Sequence, residues 1–215
     1  MTNLLPWFTL AMLGAYHGLN PGMGWLFAVA LGLQEKRRQA VLRAFGPIAA
    51  GHAASVAAVV VLVGAAQLWV DATLLRWIGG GSLIAFGIFK LARPMSHPRW
   101  VGMRVGPADL ALWSFLMSSA HGAGLMLMPV LFRLQPDAAL NHTDHAADLS
   151  SVGSLALIDL LAILLHSGAM LLVMALIALI VYEKVGLAIL RRAWFNLDRA
   201  WAGTLIVTGA ITILL

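Results

Sequence analysis

Four histidines lie deep inside apolar stretches of the sequence: His17, His52, His121 and His166. An imidazole held away from water is neutral, and its free ring nitrogen can bind a transition-metal cation or carry a proton. One membrane histidine alone could simply tie two helices by a hydrogen bond. Four at related depths point instead to a shared functional site. Around the first of them the chain reads His17-Gly18-Leu19-Asn20-Pro21-Gly22-Met23-Gly24. Pro21 has no N–H, and its ring clashes with the carbonyl of His17, so a helix passing through here must kink or unwind. Irregular backbone at membrane depth needs protein or a water-filled cavity to receive its polar groups. Asn20, Pro21 and Met23 are therefore expected along a substrate pathway; the alternative is a packing kink with Asn20 bonded to a neighbouring helix. Gly122, Gly124 and Pro129 repeat the theme after His121.

Thioethers accompany the imidazoles. Met23 follows His17, Met126 and Met128 follow His121, and Met170 stands one turn beyond His166. Mixed nitrogen and sulfur donors favour soft or borderline metals, Cu(I) among them, although Met also fills irregular cores. Asp159, seven residues before His166, shares its face and could support a histidine, guard an entrance or cap a helix. In the stretch Asn141-His142-Thr143-Asp144-His145, the side chains of His142, Asp144 and His145 are further candidate ligands at an outer loop, with a solvated loop as the plainer reading. Cysteine is absent, which excludes disulfides and thiolate sites. There is no phosphate-binding glycine loop, Ser/His/Asp set or paired catalytic carboxylates, so no enzyme is expected, and no organic cofactor either. The run Gly79-Gly80-Gly81 lacks a following Lys-Ser/Thr and reads as close helix packing.

The elements that must position these groups are membrane spans. Of 215 residues, 61% are hydrophobic and 11% charged, well outside the range of an ordinary soluble domain. Hydropathy predicts six spans, near residues 4–33, 44–66, 72–92, 108–133, 153–182 and 198–215, in one transmembrane domain covering 1–215. The N-terminal segment lacks the positive region and cleavage site of a secretory signal and is expected to be a retained first span. Twelve of the 14 Lys and Arg fall on alternate loops: Lys36, Arg37, Arg38 and Arg43; Lys90, Arg93, Arg99 and Arg104; Lys184, Arg191, Arg192 and Arg199. The positive-inside rule places those loops in the cytoplasm and both termini outside. The basic balance thus reflects orientation in the bilayer and calls for no nucleic-acid partner; lipid and a metal ion are the expected partners, with a homo-oligomer left open. The stretch 186–201 mixes apolar and basic residues and suits a short helix lying in the interface.

An internal repeat links the histidines. Gly81-Ser82-Leu83-Ile84-Ala85-Phe86-Gly87 aligns with Gly203-Thr204-Leu205-Ile206-Val207-Thr208-Gly209, with four of seven positions identical. From these anchors His17 corresponds to His121 and His52 to His166. A duplicated unit of three spans reverses direction in the membrane, so the expected fold is an all-α integral membrane protein with a 3+3 inverted repeat. Repeat 1 would cover about 1–95 and repeat 2 about 105–215, with helices 1 and 4 kinked or broken.

The segment Leu13-Gly14-Ala15-Tyr16-His17-Gly18-Leu19-Asn20-Pro21-Gly22-Met23 resembles the first-span motif of bacterial nickel/cobalt efflux proteins of the NicO type, which reads His-Gly-Leu-Glu-Pro-Gly-His. The similarity continues through Arg38-Gln39-Ala40-Val41 into a second span with His52, and is best over residues 10–65. It implies membership of the superfamily that joins nickel/cobalt permeases with the lysine-exporter type, in a bacterial cytoplasmic membrane. Asn20 stands where that family has an acidic residue and Met23 where it has a second histidine, a less charged and softer pair. The expected function is gradient-driven transport of a transition-metal cation, of the Ni/Co type or softer such as Cu, through a midplane site of His17, His52, His121 and His166. The alternatives are export of a small organic solute on the same scaffold, or a membrane factor that delivers metal to a partner.

Overall fold

The computed structural model describes residues 4–66, 69–92, 105–134, 149–185 and 190–214. Among them all regular structure is helical: α1 Leu5–Leu19, a 3-10 turn Pro21–Met23, α2 Trp25–Glu35, α3 Arg38–Ala66, α4 Ala72–Ala92, α5 Pro107–Ala120, α6 Ala123–Leu134, α7 Leu149–Ile180 with a terminal π-type turn Val181–Val185, and α8 Leu190–Leu214. Among the described residues three segments are long and apolar enough to cross a membrane: Arg38–Ala66, Thr73–Ala92 and Ala156–Lys184. The pair Pro107–Ala120 and Ala123–Leu131, bent by 56°, adds a fourth if it is one span. Trp25–Glu35 and Ala202–Leu214 are apolar but shorter. The molecule is thus an all-α protein whose long apolar helices suit a membrane-embedded bundle.

The breaks fall where covalent chemistry requires them. Pro21 cannot donate to the His17 carbonyl, which accepts from the Asn20 N–H at 3.2 Å instead. Gly24, at φ 118°, then turns the chain into α2, in a conformation that L side chains rarely adopt. Gly122, at φ 68°, does the same between α5 and α6. At the helix starts, Asp71 accepts from the Leu74 N–H at 2.8 Å and Asp109 from the Gly106 N–H at 2.9 Å.

The stretch expected as a separate interfacial helix, 186–201, is not separate: from Leu190 onward it is continuous with the last helix. Neither proline nor glycine interrupts the chain between Leu190 and Trp201, so nothing stops the helix. The candidate ligands His142, Asp144 and His145, and the loop cations Arg93, Arg99 and Arg104, lie outside the described residues.

Helices pair across the chain rather than along it. α1 lies on α7, α3 on α5 and α4 on α8. Small residues allow the close approach. A Cβ on Gly14 would strike the His166 carbonyl of α7, and one on Gly51 the Ala111 carbonyl of α5. Two hydrogen bonds reinforce α3 against α5: Ser114 Oγ donates to the Ile48 carbonyl at 2.8 Å, and Ser55 and Ser119 hydroxyls meet at 2.8 Å. At one end of the bundle Arg38 of α3 pairs with Glu183 of the π-type turn at 3.6 Å, which puts the chain around Arg37 and the chain around Lys184 on the same side.

Candidate functional site

α1, α3 and α7 bring three imidazoles together. His17, His52 and His166 are each at most 1% exposed, with ring centres 5.2, 5.6 and 5.7 Å apart. Three imidazoles sharing a tetrahedral ion, at metal–nitrogen bonds of about 2.0–2.1 Å, have ring centres roughly 5 Å apart. The spacing is close to that arrangement, but the orientation is not yet there. His17 stands edge-on to both others, whereas His52 and His166 are stacked at 18°. Nearly parallel rings direct their in-plane lone pairs along separate planes. Accordingly, among the described residues no three of His, Cys, Asp or Glu form a ready metal-holding group.

The hydrogen bonds fix which nitrogens are on offer. His166 Nδ1 donates to the Leu10 carbonyl at 3.4 Å, a weak bond. This leaves Nε2 buried with no hydrogen-bond partner among the described residues. A metal-binding histidine ordinarily donates its other N–H to a carbonyl in this way, which orients the ring. Neither nitrogen of His52 has a hydrogen-bond partner among the described residues. A neutral imidazole has one donor and one acceptor, and neither of those of His52 is taken up by the described residues. His17 Nε2 lies 3.2 Å from Met23 Sδ. A thioether only accepts, so as a hydrogen bond this contact is N–H···S.

His121 sits at the break between α5 and α6. Its Nδ1 donates to the Met117 carbonyl at 2.7 Å, and its Cε1 would be 3.6 Å from a Cβ on Gly22. It therefore faces the broken segment of the first helix from the other half of the chain.

That segment is well provided with partners. Asn20 Oδ1 accepts from the Gly22 N–H at 2.9 Å. The Leu19 carbonyl takes the Trp25 indole N–H at 3.4 Å, and the Gly22 carbonyl takes that of Trp113 at 3.0 Å. Backbone groups freed by Pro21 are thus received by protein, as membrane depth demands. Asn20 consequently serves the turn with its oxygen. The group it has left over, Nδ2, is a donor without a partner among the described residues, and a donor cannot ligate a cation.

Of the other sequence candidates, Met170 is fully buried in the cluster that also contains Met23 and Met174. Met126 packs with Leu83 and Leu205, between α4 and α8, and Met128 with Leu10 and Val56. Asp159 is half-buried on α7, about 10 Å along the helix from His166 at 1.5 Å per residue. Sequence reasoning missed Met117, Met174, Ser118 and Ser167. The last two hydroxyls are buried with no hydrogen-bond partner among the described residues, whereas Ser119 follows the usual habit and donates to the carbonyl four residues back. Their adjacency in sequence to Ser119 and His166 was the one available signal. Comparison of the chain with protein-family models, with curated proteins and with solved structures finds no match, and the functional reading therefore rests on this geometry.

Proposed function

We propose that this chain is a membrane transporter that moves a transition-metal cation through a site built on His17, His52 and His166, with His121 facing it across the broken first helix. The observation that carries the reading is the cost the closed core bears. Both nitrogens of His52 and Nε2 of His166 are buried without hydrogen-bond partners among the described residues. Each such group costs about 1–3 kcal/mol, which folding alone has no reason to retain. A cation arriving with its lone-pair demand would satisfy them, once the stacked rings rotate to converge.

The proposed architecture is a 3+3 inverted repeat of six spans. The first span comprises α1 and α2, and the fourth α5 and α6. What supports it is an exchange of contacts under the repeat. The offset from Gly81 to Gly203 is 122 residues, which carries Gly80 to Ala202 and Gly87 to Gly209. A Cβ on Gly80 would be 2.6 Å from the Gly209 carbonyl oxygen, and one on Gly87 would be 2.9 Å from that of Ala202. Each contact is the other's image. Each half also carries one histidine-bearing break, after His17 in the first and at His121 in the second. The NicO-type resemblance agrees with this scheme, and no nucleotide-binding motif suggests a source of energy other than an ion or proton gradient.

Elemental analysis of purified protein tests the reading: about one Ni(II), Co(II) or Cu(I) bound per chain is expected after exposure to the ion and removal of excess. Affinity should fall as pH is lowered, because protons compete for the same ring nitrogens. Absence of any bound metal at neutral pH would favour the organic-solute reading, for which Asn20 Nδ2 and the Ser118 and Ser167 hydroxyls supply hydrogen bonds. Metal flux into sealed vesicles then separates a transporter from a delivery factor.

Orientation is proposed from the cationic loops, with the Arg37 end in the cytoplasm of a bacterial cell and both termini outside. In a chain without cysteine, Arg37→Cys should be protected from an impermeant thiol reagent in intact cells and His142→Cys labelled. The opposite pattern would invert the topology.

A further inference from the structure

The inference deepens the proposed metal site and rests on that reading. The buried polar and charged residues among those described are His17, Asn20, His52, Ser55, Lys90, Ser114, Ser118, His121, His166, Ser167 and Thr212, with no carboxylate among them. The cost of bringing an ion into such a medium grows as the square of its charge, so an uncompensated divalent ion suffers about fourfold more than a monovalent one. A neutral donor set selects for single charge.

Sulfur selects in the same direction. Met23, Met170 and Met174 are each 0% exposed and belong to one packed cluster. Met170 and Met174 stand four and eight residues beyond His166, on its face of α7, about 6 and 12 Å further along the helix. They lead toward the end of the bundle where Arg38 pairs with Glu183. Met23 joins the two donor sets, since its sulfur is 3.2 Å from His17 Nε2. Ordinary core methionine would account for burial. The N–H···S contact with His17 holds the Met23 thioether at the edge of the imidazole triangle.

We propose that the cargo is a soft monovalent cation of the Cu(I) or Ag(I) type, and that Met23, Met170 and Met174 form a thioether site adjoining the histidine triangle on its Arg38–Glu183 side. Imidazole and thioether donors would then hand the ion along α7 without a change in its charge or any proton on sulfur.

The test uses the full-length protein in detergent, equilibrated separately with Ag(I), Ni(II) and Co(II). Ag(I) should bind at least about tenfold more tightly than either divalent ion, and the volume-conserving variant Met170→Leu/Met174→Leu should lose about tenfold or more in Ag(I) affinity with Ni(II) binding unchanged. Undiminished Ag(I) binding by a monodisperse variant overturns the thioether site. Stoichiometric Ni(II) or Co(II) without Ag(I) overturns the soft-cation inference and leaves the transporter reading standing; no bound ion of any kind overturns both. X-ray absorption of Cu(I)-loaded wild-type protein needs no variant: sulfur is expected in the first coordination shell, and nitrogen alone would refute the site.

Discussion

Leucine in place of His52 is expected to abolish metal binding while leaving the protein as stable as wild type, or more so. Both ring nitrogens of His52 are buried without hydrogen-bond partners among the described residues, so its removal frees the core of two unsatisfied polar groups. Replacing such a group by an apolar one of similar size recovers about 1–3 kcal/mol in the favourable case. Loss of one of three ligands should weaken binding by at least about 100-fold, roughly 2.7 kcal/mol. His166→Leu makes the contrast, because it also removes the bond from Nδ1 to the Leu10 carbonyl and should gain less stability. Metal titration and thermal unfolding in the same detergent measure the two effects. Wild-type affinity in a folded His52→Leu protein would remove this residue from the site.

The second large effect concerns packing. Gly51→Val places a Cβ against the Ala111 carbonyl of α5, backbone that cannot move aside as a flexible side chain would. Overpacking of this kind costs about 1–3 kcal/mol or more, and here it also displaces His52, the next residue. Little folded, monodisperse protein is expected. Gly46→Ala, on the same helix with nothing within 4 Å of the new Cβ, should be neutral or stabilising by up to about 1 kcal/mol. Equal yields from the two variants would refute the close approach of α3 and α5.

What could be read in the sequence depended on whether it was written in covalent chemistry or in packing. Pro21 dictates a break by its missing N–H, and the break is there. Of the run Gly79-Gly80-Gly81, read as close helix packing, only Gly80 meets a neighbouring backbone, the Gly209 carbonyl, whereas a Cβ on Gly79 or Gly81 has nothing within 4 Å. Helical rise gives only an expected depth for each of the four histidines, and the grouping of His17, His52 and His166 depends on how α1, α3 and α7 pack. Asn20 was legible as polar and not as the acceptor of the Gly22 N–H, a role that exists only once the turn has formed. Met174 carries no mark that separates it from a core filler. The continuity of α8 from Leu190 was hidden because an amphipathic pattern describes one face of a helix and says nothing of where that helix begins.

The cross-chain pairing has a consequence for synthesis. α1 finds its main partner in α7, α3 in α5 and α4 in α8, so the early helices wait for surfaces that have not yet been translated. At roughly 5–20 residues per second, about 100 residues separating α4 from α8 take on the order of 5–20 s. Until α5 and α7 emerge, the helices that carry His17 and His52 lack the surfaces they pack against. A chain terminated before α5 is therefore expected to be cleared by proteolysis rather than accumulate.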